Sequence, residues 1–429
     1  MVHGLSRRCR LQGCLAFLKV LCMQSNCDIC IIGNGAIGKA AALGFAQAGA
    51  SVTLVDALAT PRAPAALITP AATTEAQPWD LRVYAINPLA RALLTRLRVW
   101  DALDASRVTP VDAMVVEGDA GTRAGRLEFD SYAARADALA WIVEDRNLNH
   151  ALDSALKFAI NVRRVQGRAC AMQCDAAAGV LTLADGERIA AELIVGADGG
   201  QSWVRARTGI DIDYRPYGQR AVVANFACER PHRGIARQWF TATDGIVALL
   251  PLAGDRVSLV WSAPEALAAM LLDDSAEALA ARVSAYGEAS LGRLTPLDGS
   301  GAKGFALAML RPHAITAPRV ALIGDAAHVI HPLAGQGMNL GFADVDALLQ
   351  VVADRGTHRD RGDARVLARY ARERKESILL MHLATDGLQR LFATDIEPLR
   401  IARNIGLDLM NRLPFLKRQL IAQAMGNKA

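Results

Sequence analysis

The chain has 429 residues, a length that predicts either two domains or one domain with a large insertion. Apolar residues make up 52% of the chain and charged residues 21%, which excludes an intrinsically disordered protein. The formal net charge is +5, and Arg7, Arg8, Arg10 and Lys19 account for most of it, so the rest of the chain is close to neutral. This balance excludes a basic surface of the kind that binds nucleic acid.

The first residues need separate treatment, because their basic start and short apolar run resemble a weak signal peptide. Lys19 interrupts the apolar run, and no A-x-A-like cleavage site follows it. We therefore interpret residues 1–22 as an unstructured leader or a start-site artefact, with Met23 as the natural start. No uninterrupted apolar stretch reaches the ~18 residues of a membrane span, and the irregularly spaced cysteines fit a reduced compartment. We expect a cytoplasmic protein, with peripheral contact to the inner face of the membrane as an alternative.

The first predicted elements are a strand, a glycine turn, a small-residue helix and a second strand, the opening unit of a doubly wound α/β sheet. The turn has the pattern Gly33-x-Gly35-x-x-Gly38, and Asp56 ends the second strand, "SVTLVD". Glycines at these positions permit a tight turn, a close approach of the backbone to a pyrophosphate and close packing of the helix. An acid at this distance accepts hydrogen bonds from ribose hydroxyls, so the pattern predicts dinucleotide binding.

The same stretch, "CDICIIGNGAIG", contains a Cys-x-x-Cys pair, Cys27 and Cys30. An offset of three along a strand directs two side chains to opposite faces and separates their Cα atoms by about 10 Å. A disulfide requires less than about 7 Å between them. We therefore predict that both cysteines are small hydrophobic residues of the core and carry no redox or metal chemistry.

Further along, periodicity predicts a surface loop at 57–79, an amphipathic helix at 88–103 and a helix across "WIVEDRNLNHALDSALKF". Residues 210–310 read mostly as strands, and Trp239, Phe240 and Trp261 are predicted to belong to their core. Charged amphipathic helices are predicted from about Asp363 onward.

Two later strands end in a sharp turn that carries an acid. One turn contains Asp198 and Gly199, in "LIVGADGGQSWVR", and the other contains Asp325, in "RVALIGDAAHVIHPLAGQGMNLG". Gly335 and Gly337 would let backbone N–H groups at a helix start approach a flat ring and stabilise negative charge on it. His328 and His331 lie in the same segment, but no cluster of carboxylates accompanies them, and we predict no metal site.

Together the three segments GNGAIG, GADGGQSWVR and LIGDAAHVIHPLAGQGMNLGFAD resemble the signatures of the class A FAD-dependent aromatic monooxygenases, which have the para-hydroxybenzoate hydroxylase fold. Within that group, "DLRVYAINPLARALLTRLRVWDAL", "HPLAGQGMNLGFADVDALL", "ATDGLQRLF" and "LPFLKRQLIAQAMG" are most similar to the ubiquinone-biosynthesis hydroxylases. The resemblance covers residues 24–426.

The resemblance implies the fold class: an α/β protein with a Rossmann-like FAD-binding domain, an inserted β-sheet substrate domain and a C-terminal helical segment. The implied boundaries assign 23–107, 140–208 and 311–362 to FAD binding, 108–139 and 209–310 to the substrate domain, and 363–429 to the C-terminal helices.

It also implies a set of cofactor-binding residues. The glycine turn would hold the FAD pyrophosphate, Asp56 the adenosine ribose, Asp325 the ribityl or ribose hydroxyls, and 335–339 the pyrimidine edge of the ring. Arg146 matches a family arginine near the pyrophosphate, although Asp145 stands where relatives usually have Asn, and Arg82 is a candidate at the boundary between flavin and substrate. The full set of implied cofactor residues is Gly33, Gly35, Ala36, Ile37, Gly38, Asp56, Arg146, Asp198, Gly199, Gly324, Asp325, Gly335, Gln336, Gly337, Met338 and Asn339.

The implied reaction is hydroxylation of the aromatic ring of a polyprenylated phenol in ubiquinone biosynthesis. NAD(P)H would reduce FAD, and O2 would react through a flavin C4a-hydroperoxide. Three alternatives stay open: another aromatic hydroxylase or an isoprenoid reductase of the same fold, and a non-catalytic flavin-binding scaffold of a ubiquinone assembly. Flavin halogenases of this fold share a Trp-x-Trp-x-Ile-Pro stretch, which this chain lacks.

The C-terminal stretch 409–429 contains basic residues, no acid, and several large apolar residues. It is predicted either to pack on the domain as a helix with a solvated basic face or to contact anionic lipid, where a polyprenyl substrate resides. Assembly proteins of ubiquinone biosynthesis are further expected partners. The residues concerned are Arg412, Lys417, Arg418 and Lys428, with Leu413, Phe415, Leu416, Leu420 and Ile421.

Overall fold

A computed structural model describes most of the chain. The predicted leader, the basic C-terminal stretch and all but the end of the predicted loop 57–79 lie outside the described part. Within that part, no helix is both long and apolar enough to cross a lipid bilayer. The described residues are 24–56, 78–118, 125–297, 301–332 and 335–393.

The described residues form mixed α/β structure. The strands are β1 (Gln24–Ile32), β2 (Val52–Asp56), β3 (Val83–Ile86), β4 (Val108–Val111), β5 (Ala113–Glu117), β6 (Arg126–Asp130), β7 (Ala140–Glu144), β8 (Val162–Gln166), β9 (Ala169–Cys174), β10 (Gly179–Leu183), β11 (Arg188–Gly196), β12 (Ile212–Cys228), β13 (Ile235–Thr241), β14 (Gly245–Leu252), β15 (Arg256–Pro264), β16 (Leu294–Pro296), β17 (Lys303–Pro312), β18 (Thr316–Ala317) and β19 (Val320–Leu322). The helices are α1 (Ala36–Gln47), α2 (Pro88–Arg96), α3 (Ser131–Ala134), α4 (Asp145–Leu156), α5 (Trp203–Arg207), α6 (Glu265–Asp273), α7 (Ala276–Leu291), α8 (Gln336–Ala353) and α9 (Ala364–Ala393).

The first sheet has the parallel centre that the strand–turn–helix–strand pattern predicts. Its order is β18–β19–β11–β1–β2–β8, and β10 and β9 extend it from β11 by antiparallel pairing. Strand β1 is parallel to both β11 and β2, so the carboxyl ends of these three strands meet at one edge of the sheet. That edge is where open α/β sheets bind their ligands. Ile29 and Ile31 are wholly buried, as the near-continuous apolar run of a central parallel strand requires.

The second sheet has two faces with different roles. Its order is β16–β12–β15–β14–β13–β5–β6, with β17 paired to β12. One face packs against α6 and α7, and Trp239 and Trp261 belong to that core, while Phe240 packs in a smaller cluster with Val116 and Leu127. The prediction that these aromatic residues are core residues is confirmed. Because side chains alternate along a strand, the other residues of β13, β14 and β15 face the opposite side, toward the first sheet's carboxyl edge.

A small sheet, β3–β7–β4, joins the two larger ones and corrects the prediction for "WIVEDRNLNHALDSALKF". The predicted helix covers only its second part, because Ala140–Glu144 is a strand that pairs with β3 and β4 before α4 begins at Asp145. Burial of Ile142 and Val143, both β-branched, favours the strand there. Strand β4 also lies in this small sheet, at the start of the predicted substrate domain; the domain boundaries themselves stay a prediction.

The predicted helix at 88–103 ends earlier than its apolar periodicity suggests. Helix α2 stops at Arg96, and Arg98 adopts a left-handed backbone conformation with φ of 58°. The N–H of Val99 then donates to the carbonyl of Leu94 and that of Arg98 to the carbonyl of Thr95, the pattern of a Schellman cap. Likewise, the mostly strand-like interpretation of 210–310 omitted helices α6 and α7.

A buried carboxylate joins the last two helices to the turn after β19. Asp344, in α8, is wholly buried and accepts hydrogen bonds from the backbone N–H of Gly324 (2.9 Å), from His328 Nε2 (2.6 Å) and from Arg374 Nε of α9 (2.7 Å). Burial alone would raise the pKa of Asp344, but the positive charges of His328 and Arg374 hold it below its usual value. The carboxylate therefore stays ionised and fixes the Gly324–Asp325 turn against both helices.

We expect Asp344→Asn to lower the free energy of unfolding at pH 7 by about 3 kcal/mol, because it leaves the buried Arg374 cation without its counter-charge. Asp346→Asn is the matched control: this residue lies on the same helix but forms an exposed ion pair with Arg96, which is worth less than about 1 kcal/mol. Denaturant unfolding at pH 7 measures both. Because the pKa of Asp344 is lowered, the difference should shrink only as the pH falls below the usual carboxyl range. Equal losses in the two variants would contradict the assignment.

Candidate functional site

One large cavity lies between the carboxyl edge of the first sheet and the open face of the second. Its volume is about 1570 Å³, which exceeds the roughly 300–1,000 Å³ of a typical single-ligand pocket. The cavity joins all three signature segments that the sequence singled out. The predicted site residues on its wall are Gly33, Gly35, Ala36, Ile37, Asp56, Arg82, Asp198, Gly199, Gly324, Asp325, Gly335, Gln336, Gly337 and Met338.

The three glycines of the turn after β1 have different roles: two are required for packing, and one leaves space in the cavity. A side chain at Gly33 would overlap the carbonyl oxygen of Ala197, and one at Gly38 would overlap the carbonyl oxygen of Gly33. These two glycines are therefore required by the close approach of β1, β11 and α1. A Cβ atom at Gly35, in contrast, would meet no atom within 4 Å, because this position faces the cavity at the N-terminus of α1. The absence of a side chain at Gly35 thus leaves space for a ligand and is not required by packing within the protein.

A second helix N-terminus faces the same cavity. Gly335, with φ of 66°, precedes α8, and Gln336, Gly337 and Met338 of its first turn line the wall. No acidic residue occupies the first turn of α1 or of α8. Both helices therefore present free N–H groups and a positive dipole end to the cavity, an arrangement that favours negative charge.

Two carboxylates lie on the wall near these helix starts. Asp56, at the end of β2, accepts a hydrogen bond from Asn34 Nδ2 at 3.1 Å, whereas the buried Oδ1 atom of Asn34 has no hydrogen-bond partner. Asp325 lies where the turn after β19 borders the cavity. Desolvation by the surrounding protein raises the pKa of its carboxyl, while the positive charges of His328 and Arg82 oppose the rise. Oxygen atoms of this kind accept hydrogen bonds from sugar-type hydroxyls.

Arg82 lies just before β3, on the wall between the two large sheets. Its guanidinium stacks over the ring of Phe305 in β17, 5.4 Å from the ring centre. The same charge acts on Asp325. Arg82 therefore lies between the carboxylate-bearing half of the cavity and the half formed by the second sheet, and its role at a flavin–substrate boundary stays a prediction.

The turn after β11 uses its acid for structure. Asp198 accepts hydrogen bonds from Ser202 Oγ (2.5 Å) and from the backbone N–H of Val204 (3.1 Å), which caps α5. Arg205, buried in α5, donates to the carbonyls of Gly200 and Ala326, at 2.7 and 2.8 Å. Arg205 thus joins the Asp198 turn to the Asp325 turn, and a dinucleotide at this edge would meet the two turns in a fixed geometry.

Three predicted site residues do not border the cavity. Gly38 packs beneath the turn, as described above. Asn339 is buried, and its amide accepts from the backbone N–H of Asn87 and donates to the carbonyl of Ala85, so it holds β3 against α8. Arg146 donates from its backbone N–H to Asp80 and lies outside the described cavity wall. These residues position the wall or stand behind it.

The histidines and cysteines of the signature segments have structural partners. His328 pairs with Asp344, and His331 contacts Gln219 Oε1 at 3.1 Å and the ring of Tyr217. Burial lowers the pKa of His331 to about 4, so this ring is neutral at ordinary pH. Cys27 and Cys30 are both free thiols in β1, and burial raises the pKa of each. Cys30 is wholly buried, which confirms its prediction as a core residue, whereas Cys27 is partly buried and packs against the core.

Two parts of the wall were not predicted from the sequence. Gln166 ends β8, and Gly167 and Arg168 follow it; the N–H of Gly167 donates to the carbonyl of Asp56 at 3.1 Å. Tyr84 donates from its hydroxyl to Asp145 Oδ1 at 2.8 Å, and burial raises its pKa, so the phenol keeps its proton. Residues 166–168 could have been predicted by identifying β8 as the strand that pairs with β2. No pattern in a single sequence indicates the position of Tyr84.

Comparison with known proteins identifies the family. The family described as FAD binding domain matches residues 150–381. The chain is 36% identical over 406 residues to the 3-demethoxyubiquinol 3-hydroxylase of Escherichia coli (strain K12), a match that covers 93% of this chain and 98% of that protein. The chain belongs to the class A FAD-dependent monooxygenases, in the ubiquinone hydroxylase family.

Two further comparisons agree with this assignment. The ubiquinone hydroxylase UbiL of Rhodospirillum rubrum is 35% identical over 404 residues, covering 93% of this chain and 89% of that protein. The crystal structure of Klebsiella pneumoniae HpxO, complexed with FAD and uric acid, matches with a TM-score of 0.70 and 18% identity, covering 92% of this chain and 96% of that one. The second likeness shows the fold alone. The predicted fold class is confirmed, and this class A monooxygenase uses FAD with NAD(P)H as co-substrate.

The wall of the cavity fits FAD on its own geometry. The open space above Gly35, between two helix N-termini, has the character that a pyrophosphate requires. The unpartnered Oδ1 atom of Asn34 lies beside Asp56, where an adenosine hydroxyl would supply the missing donor. Toward the second sheet the lining becomes apolar, as the plane of an isoalloxazine ring demands. The donor set and the shape therefore fit the cofactor of this family.

We expect Gly35→Val to lose FAD binding and Gly33→Ala to lose stability. Gly35→Val fills open space at a φ of −80° that any residue adopts, so the protein should fold with an unchanged melting temperature in the absence of FAD but purify without the cofactor. Gly33→Ala should reduce stability itself, by more than about 3 kcal/mol, because its Cβ would overlap backbone atoms and cannot be accommodated by a rotamer change. Flavin absorbance and thermal unfolding separate the two effects. Stoichiometric FAD in Gly35→Val would refute the binding role.

Proposed function

We propose that this enzyme hydroxylates the aromatic ring of a polyprenylated phenol in ubiquinone biosynthesis, using NAD(P)H and O2. The observation that carries the proposal is the continuity of the cavity, which runs from the glycine turn of a dinucleotide site into an apolar chamber without an intervening wall. The names of the relatives support the same reaction, because the two curated proteins above are ubiquinone hydroxylases and the match spans nearly their whole lengths.

Within this proposal each turn binds one part of the cofactor. Gly35 and the α1 N-terminus receive the pyrophosphate, in a turn whose packing requires Gly33. Asp56 binds the adenosine ribose, and Asp325 binds the ribityl hydroxyls. The start of α8 lies along the pyrimidine edge, where its dipole favours negative charge on the reduced ring. Asn339 holds that helix start in place through its two hydrogen bonds to the β3 region.

Bound FAD supplies the electrons from NAD(P)H and the activation of O2, and the protein supplies position, charge and exclusion of water. The open face of the second sheet is dominated by aliphatic side chains, including Leu250, Val260 and Leu307, which favour an apolar ring and the first units of a prenyl tail. Arg82 stands at the boundary of the two halves, where its positive charge favours a phenolate-like oxygen.

We expect purified holoenzyme to oxidise NAD(P)H at a rate that increases at least about tenfold when a farnesylated phenol is added, and to place one atom of 18O2 in the product. Mass spectrometry of the product measures the incorporation. An isoprenoid reductase would act without O2 and give no label, and a non-catalytic scaffold would bind FAD without turnover; either result would overturn the proposal. In a strain that lacks the gene, the accumulated precursor would then name the ring position.

The proposal includes peripheral contact with the inner face of the membrane and with other proteins of ubiquinone biosynthesis. Its support is chemical, because a polyprenylated substrate resides in lipid, and the stretch 409–429 combines four basic residues with large apolar ones. On the described part of α9, Leu379, Leu380 and Leu383 are 40, 49 and 62% exposed, so the helix that leads toward this stretch also presents apolar surface.

For the membrane contact, we expect full-length Lys417→Glu/Arg418→Glu to bind vesicles of phosphatidylglycerol and phosphatidylcholine at least about tenfold more weakly, since each basic residue near an anionic surface contributes about 1 kcal/mol. The matched control is Lys157→Glu/Lys303→Glu, which makes the same charge change at two exposed positions elsewhere. Co-sedimentation measures both. If the control loses as much binding as the C-terminal variant, the attraction is a property of net charge and the proposed anchor is wrong.

A further inference from the structure

The open face of the second sheet forms the floor of the substrate half of the cavity, and its residues lie in regular rows across the strands. One row contains Val223, Val260, Ala248 and Gln238, one from each of β12, β15, β14 and β13. Each of these residues lines the cavity. The row continues through Val116 of β5, so Gln238 is an amide side chain within an otherwise aliphatic row, on the face that α6 and α7 do not cover.

Gln238 is buried, with 6% of its surface exposed. Among the hydrogen bonds formed by the described residues, none involves its side chain, although the neighbouring Trp239, on the opposite face, donates to Glu117 Oε2 at 2.7 Å. The amide atoms of Gln238 keep accessible surface toward the cavity, so an amide without a partner would cost about 1–3 kcal/mol only when a bound substrate excludes water from it. A leucine of similar volume would suit the aliphatic row better, so stability does not explain a glutamine here.

The surroundings of Gln238 leave space next to the amide. Its cross-strand neighbours are Ala248 of β14 and Val116 of β5, and the preceding residue on the same face of β13 is Ala236. Ala248 and Ala236 both line the cavity. Small side chains on two sides keep the amide accessible from the cavity while the rest of the residue is enclosed. The same polar group could serve a ring substituent that enters from above, as both a donor and an acceptor.

We propose that Gln238 is a specificity-determining residue that hydrogen-bonds the phenolic hydroxyl of the aromatic substrate and so fixes which ring carbon faces the flavin. This inference rests on the proposed function and adds the residue that orients the ring. The aliphatic floor supplies affinity for the ring and tail without direction, because apolar contact is non-directional. A single amide in that floor supplies the direction, since a missing hydrogen bond to a buried polar group penalises every other ring orientation.

The test compares two ligands in two variants of the FAD-loaded enzyme. The ligands are a farnesylated phenol and the matching farnesylbenzene, which lacks the hydroxyl, and their affinities are measured from the change in flavin absorbance. Gln238→Leu should bind the phenol about tenfold more weakly and farnesylbenzene with unchanged affinity, because only the phenol loses a hydrogen bond. Gln173→Leu, the same change at an exposed position of β9, should alter neither affinity.

Two further readouts exclude a merely structural role. Gln238→Leu should retain full FAD content and melt at the same temperature as the wild type or higher, because no hydrogen bond within the protein is lost. With the phenol it should convert a larger share of NAD(P)H into hydrogen peroxide rather than hydroxylated product, or form a second regioisomer, since the ring is no longer held in one orientation.

Each remaining outcome overturns the inference in a recognisable way. Equal weakening of both ligands would make Gln238 a packing residue. An unchanged affinity for the phenol in Gln238→Leu, with normal binding and turnover in the wild type, would refute the inference and leave the proposed function intact. Failure of the wild-type enzyme to bind or hydroxylate any farnesylated phenol would overturn the proposed function, and the inference with it.

Discussion

The buried carboxylate of Asp344 is the interaction on which the cofactor half of the cavity depends. It accepts hydrogen bonds from the backbone of Gly324, from His328 and from Arg374, so a single side chain fixes a turn and two helices. The start of α8 and the Asp325 turn face the ligand space from these fixed positions. Arg205 extends the same rigidity to the Asp198 turn. Three segments distant in sequence thus form one wall, and hydrogen bonds within the protein fix its geometry.

The second sheet provides the other half of the cavity by a simple periodicity. Along β13, β14 and β15 successive side chains alternate between the core under α6 and α7 and the open cavity face. The buried tryptophans take the core face, where their N–H groups find Glu117 and the carbonyl of Asp244. The cavity face keeps smaller aliphatic residues, so it leaves volume for a substrate. The large residues on the core face stabilise the sheet, and the small residues on the cavity face leave space for a ligand.

Much of this arrangement could be predicted from the sequence, because the relevant constraints are local. The glycines of the first turn, Asp56 at a strand end, and the spacing of Cys27 and Cys30 follow from strand and helix geometry over a few residues. The apolar run "WIVE" was assigned to a helix because burial on both sides of a strand removes the alternation that marks it. Arg98 ended α2 without the glycine that usually signals such a cap. Neither the hydrogen bonds around Asp344 nor the position of Gln238 in the cavity could be predicted, because each depends on contacts between residues far apart in the chain.

Asp344 and Gln238 are both buried polar residues, and the difference between them separates structure from function. Asp344 has three donors around its carboxylate, one of them the guanidinium of Arg374, so its burial stabilises the fold it holds together. Gln238 has no hydrogen-bond partner in the described part of the chain, and it lies on the floor of the cavity among aliphatic side chains. Because its amide reaches the cavity, a bound substrate that excludes water has to supply its hydrogen-bond partner. In the sequence alone, both are polar residues among apolar ones. Only their hydrogen-bond partners in the structure distinguish a residue that stabilises the site from one that is available to bind the substrate.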